Sequence, residues 1–175
     1  MTDYQEAVQV PSAAFSGPEL KQGVPVMNKL GLPRPICGQF ASVYELEHGG
    51  NRWAVKCFLR NIPDLHSRYA KISGHLGDCD LPYFVTFEYQ QKGIRVRGNF
   101  YPLVKMEWVE GLALNHFIEQ NLSNDTVMAA LEQDWLALLD DLQAVKVAHG
   151  DLQHGNVLVM ADGSLRLIDY DGMWV

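Results

Sequence analysis

The spacing of apolar positions changes several times along the chain. From about residue 24 to 60 the text is strand-like. Phe40, Val43, Tyr44 and Leu46 lead into His48-Gly49-Gly50-Asn51, and Trp53-Ala54-Val55-Lys56-Cys57-Phe58 follows. Two such runs around a Gly-Gly turn predict an antiparallel hairpin. Asn61-Ile62-Pro63-Asp64 is a stop-and-cap signal, after which Leu65, Tyr69, Ile72 and Leu76 recur at helical spacing. Beyond Gly77 strands return over 83–89, over 94–96 behind a turn at Gly93, and over 101–108. A short helix is expected over 112–120. Ser123-Asn124-Asp125 then offers a cap for a longer helix carrying Leu131, Trp135, Leu138 and Leu142 as one buried stripe. The polar stretch His149–Asn156 precedes a small hairpin, 157–168, turning at Asp162-Gly163. Residues 1–20, with Pro11, Ser12, Ser16, Gly17 and Pro18, hold no sustained period and read as a loosely ordered leader.

These elements predict an α+β chain of two unlike lobes: an antiparallel strand lobe with one helix over 21–108, and a helical lobe with a polar loop over 109–175. Unlike lobes imply a ligand cleft between them. A length of 175 residues suits one domain or two small lobes, and 47% hydrophobic with 20% charged residues is a globular composition. Fourteen basic against 21 acidic residues leave a net charge of −7, which argues against a nucleic-acid partner. No apolar run approaches the roughly 20 residues that cross a bilayer, so no membrane partner is expected. The start, MTDYQEAVQV, lacks the basic flank and apolar core of a secretory signal. Cys37, Cys57 and Cys79 form no CxxC pair, which suits neither a disulfide framework nor a zinc site. A soluble, cytoplasmic protein is the expectation.

The chemistry concentrates in HGDLQHGNVLV and LRLIDYDG. Phosphoryl transfer to a hydroxyl needs one carboxylate beside the acceptor oxygen, and an amide oxygen and a second carboxylate to hold Mg2+ against the phosphates. Asp151, Asn156 and Asp169 offer those donors, the hairpin returning Asp169 toward the loop. Over roughly 24–175 the sequence resembles the protein kinase-like fold, His149-Gly150-Asp151 to Asn156 standing for the HRD-L-x-x-x-N pattern. The resemblance implies that Asp151 is the catalytic base and that Asn156 and Asp169 are metal ligands. Trp53-Ala54-Val55-Lys56 looks like the strand whose lysine meets the α- and β-phosphates of ATP. Met106–Gly111 resembles the inter-lobe linker, implying Met106 as gatekeeper and the Glu107 carbonyl and Val109 backbone as adenine partners. Val43, Ala54, Leu158 and Ile168 would flank the base.

The pattern is broken in four places. Of the phosphate-covering G-x-G-x-x-G only Gly38 survives, in Ile36-Cys37-Gly38-Gln39-Phe40-Ala41. Residues 57–77 contain no Glu to pair with Lys56. HRD has become HGD, a spelling also seen in aminoglycoside and choline phosphotransferases, and Gln153 stands where protein kinases keep a second lysine. DFG reads Asp169-Tyr170-Asp171, leaving Gly172 to supply the flexibility. The expected function is ATP- and Mg2+-dependent phosphorylation of Ser/Thr in protein substrates. The alternatives are a nucleotide-binding pseudokinase scaffold and a small-molecule phosphotransferase. The family pattern runs on past the metal aspartate, so the resemblance also implies a longer parent chain.

Overall fold

A computed structural model describes residues 2–38, 40–60 and 62–175. Met1, Gln39 of the expected phosphate-covering loop and Asn61 of the stop signal lie outside the described residues. The architecture is α+β, an antiparallel sheet with six helices among the described residues, compatible with a two-lobe kinase-like fold. The chain divides into two compact units, Met1–Ser67 with Thr86–Trp108, and Arg68–Val85 with Val109–Val175.

The first unit opens with three short helices, α1 (Thr2–Val8), α2 (Pro11–Ala14) and α3 (Pro18–Lys21). Its sheet contains β1 (Val24–Pro25), β2 (Pro35–Cys37), β3 (Ala41–His48), β4 (Asn51–Phe58), β5 (Phe87–Val96) and β6 (Asn99–Glu107). The order is β1-β3-β4-β6-β5, with β2 also paired to β3. Val8, Phe15 and Leu20 join Tyr44, Val55, Cys57, Ile94 and Leu103 in a single buried cluster. The expected loose leader is therefore corrected: residues 2–21 cover one face of the sheet. Tyr4 also donates its hydroxyl to the Phe58 carbonyl at 2.9 Å. Two of these helices are four residues long and begin at proline, too short to show a period.

The β3–β4 hairpin closes at Gly49-Gly50, as its sequence predicts, both with positive φ. Gly93 is not a turn. One strand runs through it with a register shift between Gln90 and Ile94, and the chain reverses instead at Arg97-Gly98, both at positive φ. A Cβ at Gly93 would lie 2.3 Å from Leu103 Cγ in the core, so glycine here permits a close crossing rather than a reversal.

In the second unit α4 (Leu65–Asp78) runs two residues beyond Leu76, with Leu65, Tyr69, Ile72 and Leu76 buried. Its first three residues fall in the first unit. Next come β7 (Leu112–Ala113), α5 (Leu114–Asn121), α6 (Asp125–Ala144), β8 (Val157–Val159) and β9 (Leu165–Leu167), with β7-β8-β9 as a small sheet. Asn124 caps α6 by accepting from the Val127 amide at 3.2 Å, and Leu131, Leu138 and Leu142 bury the predicted stripe while Trp135 is half-buried. Residues 68–85 group with this unit rather than with the strand lobe expected over 21–108. The ties are specific: the Leu167 amide donates to the Tyr83 carbonyl at 2.8 Å and the Tyr83 hydroxyl to Asp141 at 2.7 Å.

Candidate active site

In the first unit the candidate residues are placed by strand register. Partners directly opposite in an antiparallel pair point to the same face. Val43 lies opposite Lys56, Ala54 opposite Met106, and Lys56 opposite Val104. Val43, Ala54, Lys56 and Met106 thus share the sheet face that the N-terminal helices leave uncovered, each half-buried. The Lys56 ammonium stands 5.7 Å from the Phe58 ring centroid. Gly38 donates its amide to the Ala41 carbonyl at 2.9 Å, and a Cβ there would meet only ordinary contact. At the end of β6 the Glu107 amide donates to the Thr86 carbonyl at 3.0 Å and the Trp108 amide to the Arg52 carbonyl at 2.9 Å. The Arg52 guanidinium lies over the Trp108 ring and also pairs with the buried Glu45.

In the second unit backbone contacts do the placing. Ala148 and Trp174 exchange two hydrogen bonds, at 3.0 and 2.8 Å. His149 lies beside Ile168, its Nε2 3.0 Å from that carbonyl, so Nε2 carries the proton. Burial holds this imidazole's pKa below its ordinary value, partly opposed by its bond to Ile168 and by the Asp169 and Asp151 charges. Gly150 has φ +76, and a Cβ on it would sit 2.0 Å from the Gly172 carbonyl oxygen. No side chain fits there, which explains why the position is glycine and not arginine. The Ile168 amide in turn donates to the Asn156 carbonyl at 3.0 Å. The strip 148–156 and the strip 168–174 are thereby zipped together.

On this frame Asn156, buried, donates through Nδ2 to the Asp151 carbonyl at 3.0 Å and to Asp151 Oδ2 at 2.8 Å. Two acceptors on one side fix the amide orientation and leave its oxygen on the other. Gln153 also donates to Asp151 Oδ2, at 3.0 Å, so both amides bind the same oxygen of an exposed carboxylate. Asp169 takes a left-handed φ of 65, and its Oδ1 faces the Asp171 amide at 3.5 Å. Leu158, half-buried in β8, pairs with Ala113 and Arg166, while Val109 and Ile168 are half-buried. Among the described residues no three His, Cys, Asp or Glu side chains form a metal-binding group. An amide and one carboxylate still suit Mg2+, which takes hard oxygens and keeps waters or phosphate oxygens for its remaining positions.

Sequence reasoning missed the polar role of Tyr69 and Tyr170. The Tyr170 hydroxyl accepts from the Val85 amide at 2.8 Å and donates to the Leu167 carbonyl at 2.9 Å. The Tyr69 hydroxyl donates to Asp171 Oδ1, and burial, reinforced by that carboxylate, pushes its pKa well above the ordinary value. A tyrosine at an apolar helical position gives no signal of what its hydroxyl meets.

No protein-family profile matches the chain. A 67-residue stretch, 38% of the chain, is 31% identical to the serine/threonine-protein kinase pak-2 of Caenorhabditis elegans, of which it covers 13%. It is equally similar to the serine/threonine-protein kinases pakA of Talaromyces marneffei and ste20 of Emericella nidulans, covering 10% and 8% of them. The similarity thus spans about a tenth of these relatives' length. Such partial matches support a kinase-like relationship over that stretch and no more.

Proposed function

We propose that the chain is an ATP- and Mg2+-dependent phosphotransferase that acts on Ser/Thr hydroxyls of proteins. Asp151 is its base: two amides hold Oδ2, leaving Oδ1 to orient the acceptor hydroxyl and take its proton. Asn156 and Asp169 hold Mg2+, which supplies charge neutralisation on the phosphates. Lys56 meets the α- and β-phosphates, and Gly38 belongs to the loop above them. Val43, Ala54, Met106, Leu158 and Ile168 supply apolar contact to the base, with Glu107 and Val109 offering backbone partners. The observation that carries this reading is the amide of Asn156, whose nitrogen is committed to Asp151 so that its oxygen remains for a cation.

The test is nucleotide binding by the full chain with and without Mg2+. Asp169→Asn is expected to weaken Mg2+-dependent binding by about tenfold or more and leave Mg2+-free binding unchanged. Equal loss of both, or wild-type protein that shows no Mg-ATP thermal shift, overturns the reading. A small-molecule acceptor is favoured by Gly150, which leaves no place for the HRD arginine, and by Gln153, which is bound to the base. Labelled phosphate appearing on an amino sugar or choline, and not on protein, decides for it. The absence of a glutamate from α4 favours a nucleotide-binding scaffold, which transfers no label to either.

A further inference from the structure

The segment after Asp169 is attached to α4 by bonds that the proposed chemistry does not require. Tyr69, 1% exposed, donates its hydroxyl to Asp171 Oδ1, and Arg68 on the preceding position of the helix donates to the Asp171 carbonyl at 2.9 Å. Asp171 is one turn-forming residue from Asp169 and begins to return its own amide to the Asp169 carboxylate. Asp169 itself holds a left-handed φ, a conformation that costs free energy in a non-glycine residue unless its surroundings enforce it. Besides the contacts to 148–156 and the Tyr170 hydroxyl, Asp171 is gripped at its side chain and at its backbone by two successive residues of one helix.

We infer that Tyr69 and Asp171 are positioning residues, a latch from α4 that fixes the conformation of Asp169. Its consequence for Mg2+ rests on the function proposed above. In place of a helix glutamate reaching for the strand lysine, this α4 reaches for the residue beside the metal aspartate. The latch needs an acceptor at 171 and a hydroxyl at 69, not a negative charge. Asn at 171 keeps the acceptor, whereas Ala removes it.

Amide hydrogen exchange over residues 168–174 and nucleotide binding with and without Mg2+ test the inference on the full chain. Tyr69→Phe keeps the buried ring, and is expected to speed exchange there by about fivefold or more. It should weaken Mg2+-dependent binding about tenfold, with Mg2+-free binding unchanged. Asp171→Ala should match it on both counts, and Asp171→Asn should stay near wild type. Unchanged exchange in Tyr69→Phe overturns the latch, as does an equal fall in binding with and without Mg2+. Loss of Mg2+ dependence in Asp171→Asn while exchange stays slow also overturns it, since Asp171 would then act as a ligand. A wild-type chain with no Mg2+-dependent binding sinks the proposed function instead. Faster exchange in Tyr69→Phe would then still establish the latch.

Discussion

The two units hold their candidate residues by different means. In the first, Val43, Ala54, Lys56 and Met106 project from a hydrogen-bonded ladder whose other face is packed on α1–α3, so any one side chain can change while the ladder stays. In the second, Asp151, Asn156 and Asp169 sit on irregular backbone held by Gly150 against Gly172, Ala148 against Trp174 and Ile168 against Asn156. Placement by register separates function from stability. Placement by touching backbones merges them.

Gly150→Ala puts the largest strain on this contrast. The added methyl would overlap the Gly172 carbonyl at a positive φ, and a loss of about 4 kcal/mol or more is expected in urea denaturation. Gly155→Ala, in the same loop with nothing within 4 Å, should change stability little. If both are tolerated, the second unit is no more constrained than the first. Leu20→Ala, at a fully buried position in the leader, should cost about 2–4 kcal/mol. A negligible cost would mean that α3 is not part of the sheet's core.

Lys56→Met should lower nucleotide affinity about tenfold, near 1.4 kcal/mol, while the thermal midpoint moves by less than about 5 °C. A large fall in the midpoint would remove the separation claimed for the first unit. The smallest effect concerns His149. Its pKa is held below the ordinary value by burial, so below pH 6.5 the unfolded chain binds a proton that the folded chain refuses. Stability is full above that pH and declines as the solution is acidified toward the folded-state value. His149→Asn, with no titrating ring, should flatten this slope in urea titrations at pH 7.5 and 5.5.

What the sequence made legible was local. Gly49-Gly50 between two alternating runs states its hairpin within a dozen residues, and the Leu131–Leu142 stripe states its helix face. Gly93 misled because glycine marks a reversal and a close crossing alike, and only Leu103, ten residues on, distinguishes them. The leader misled because Val8, Phe15 and Leu20 find their partners in strands far downstream. In the site, residue types and spacing identified Asp151, Asn156 and Asp169 as candidates. The geometry of Gly150 and the hydroxyl of Tyr69 depend on residues 172 and 171, which no local pattern connects to them.

The leader also constrains the order of events during synthesis. Phe15 bridges to Ile94, and the Ser16 amide bonds to the Gly93 carbonyl at 2.9 Å. Phe15 and Ser16 thus leave the ribosome about eighty residues ahead of these partners, although Tyr44, Leu46, Val55 and Cys57 of the same buried cluster emerge sooner. Completion of that cluster waits for β5 and β6, and the apolar side chains of Val8, Phe15 and Leu20 are what a chaperone would meet in the interval.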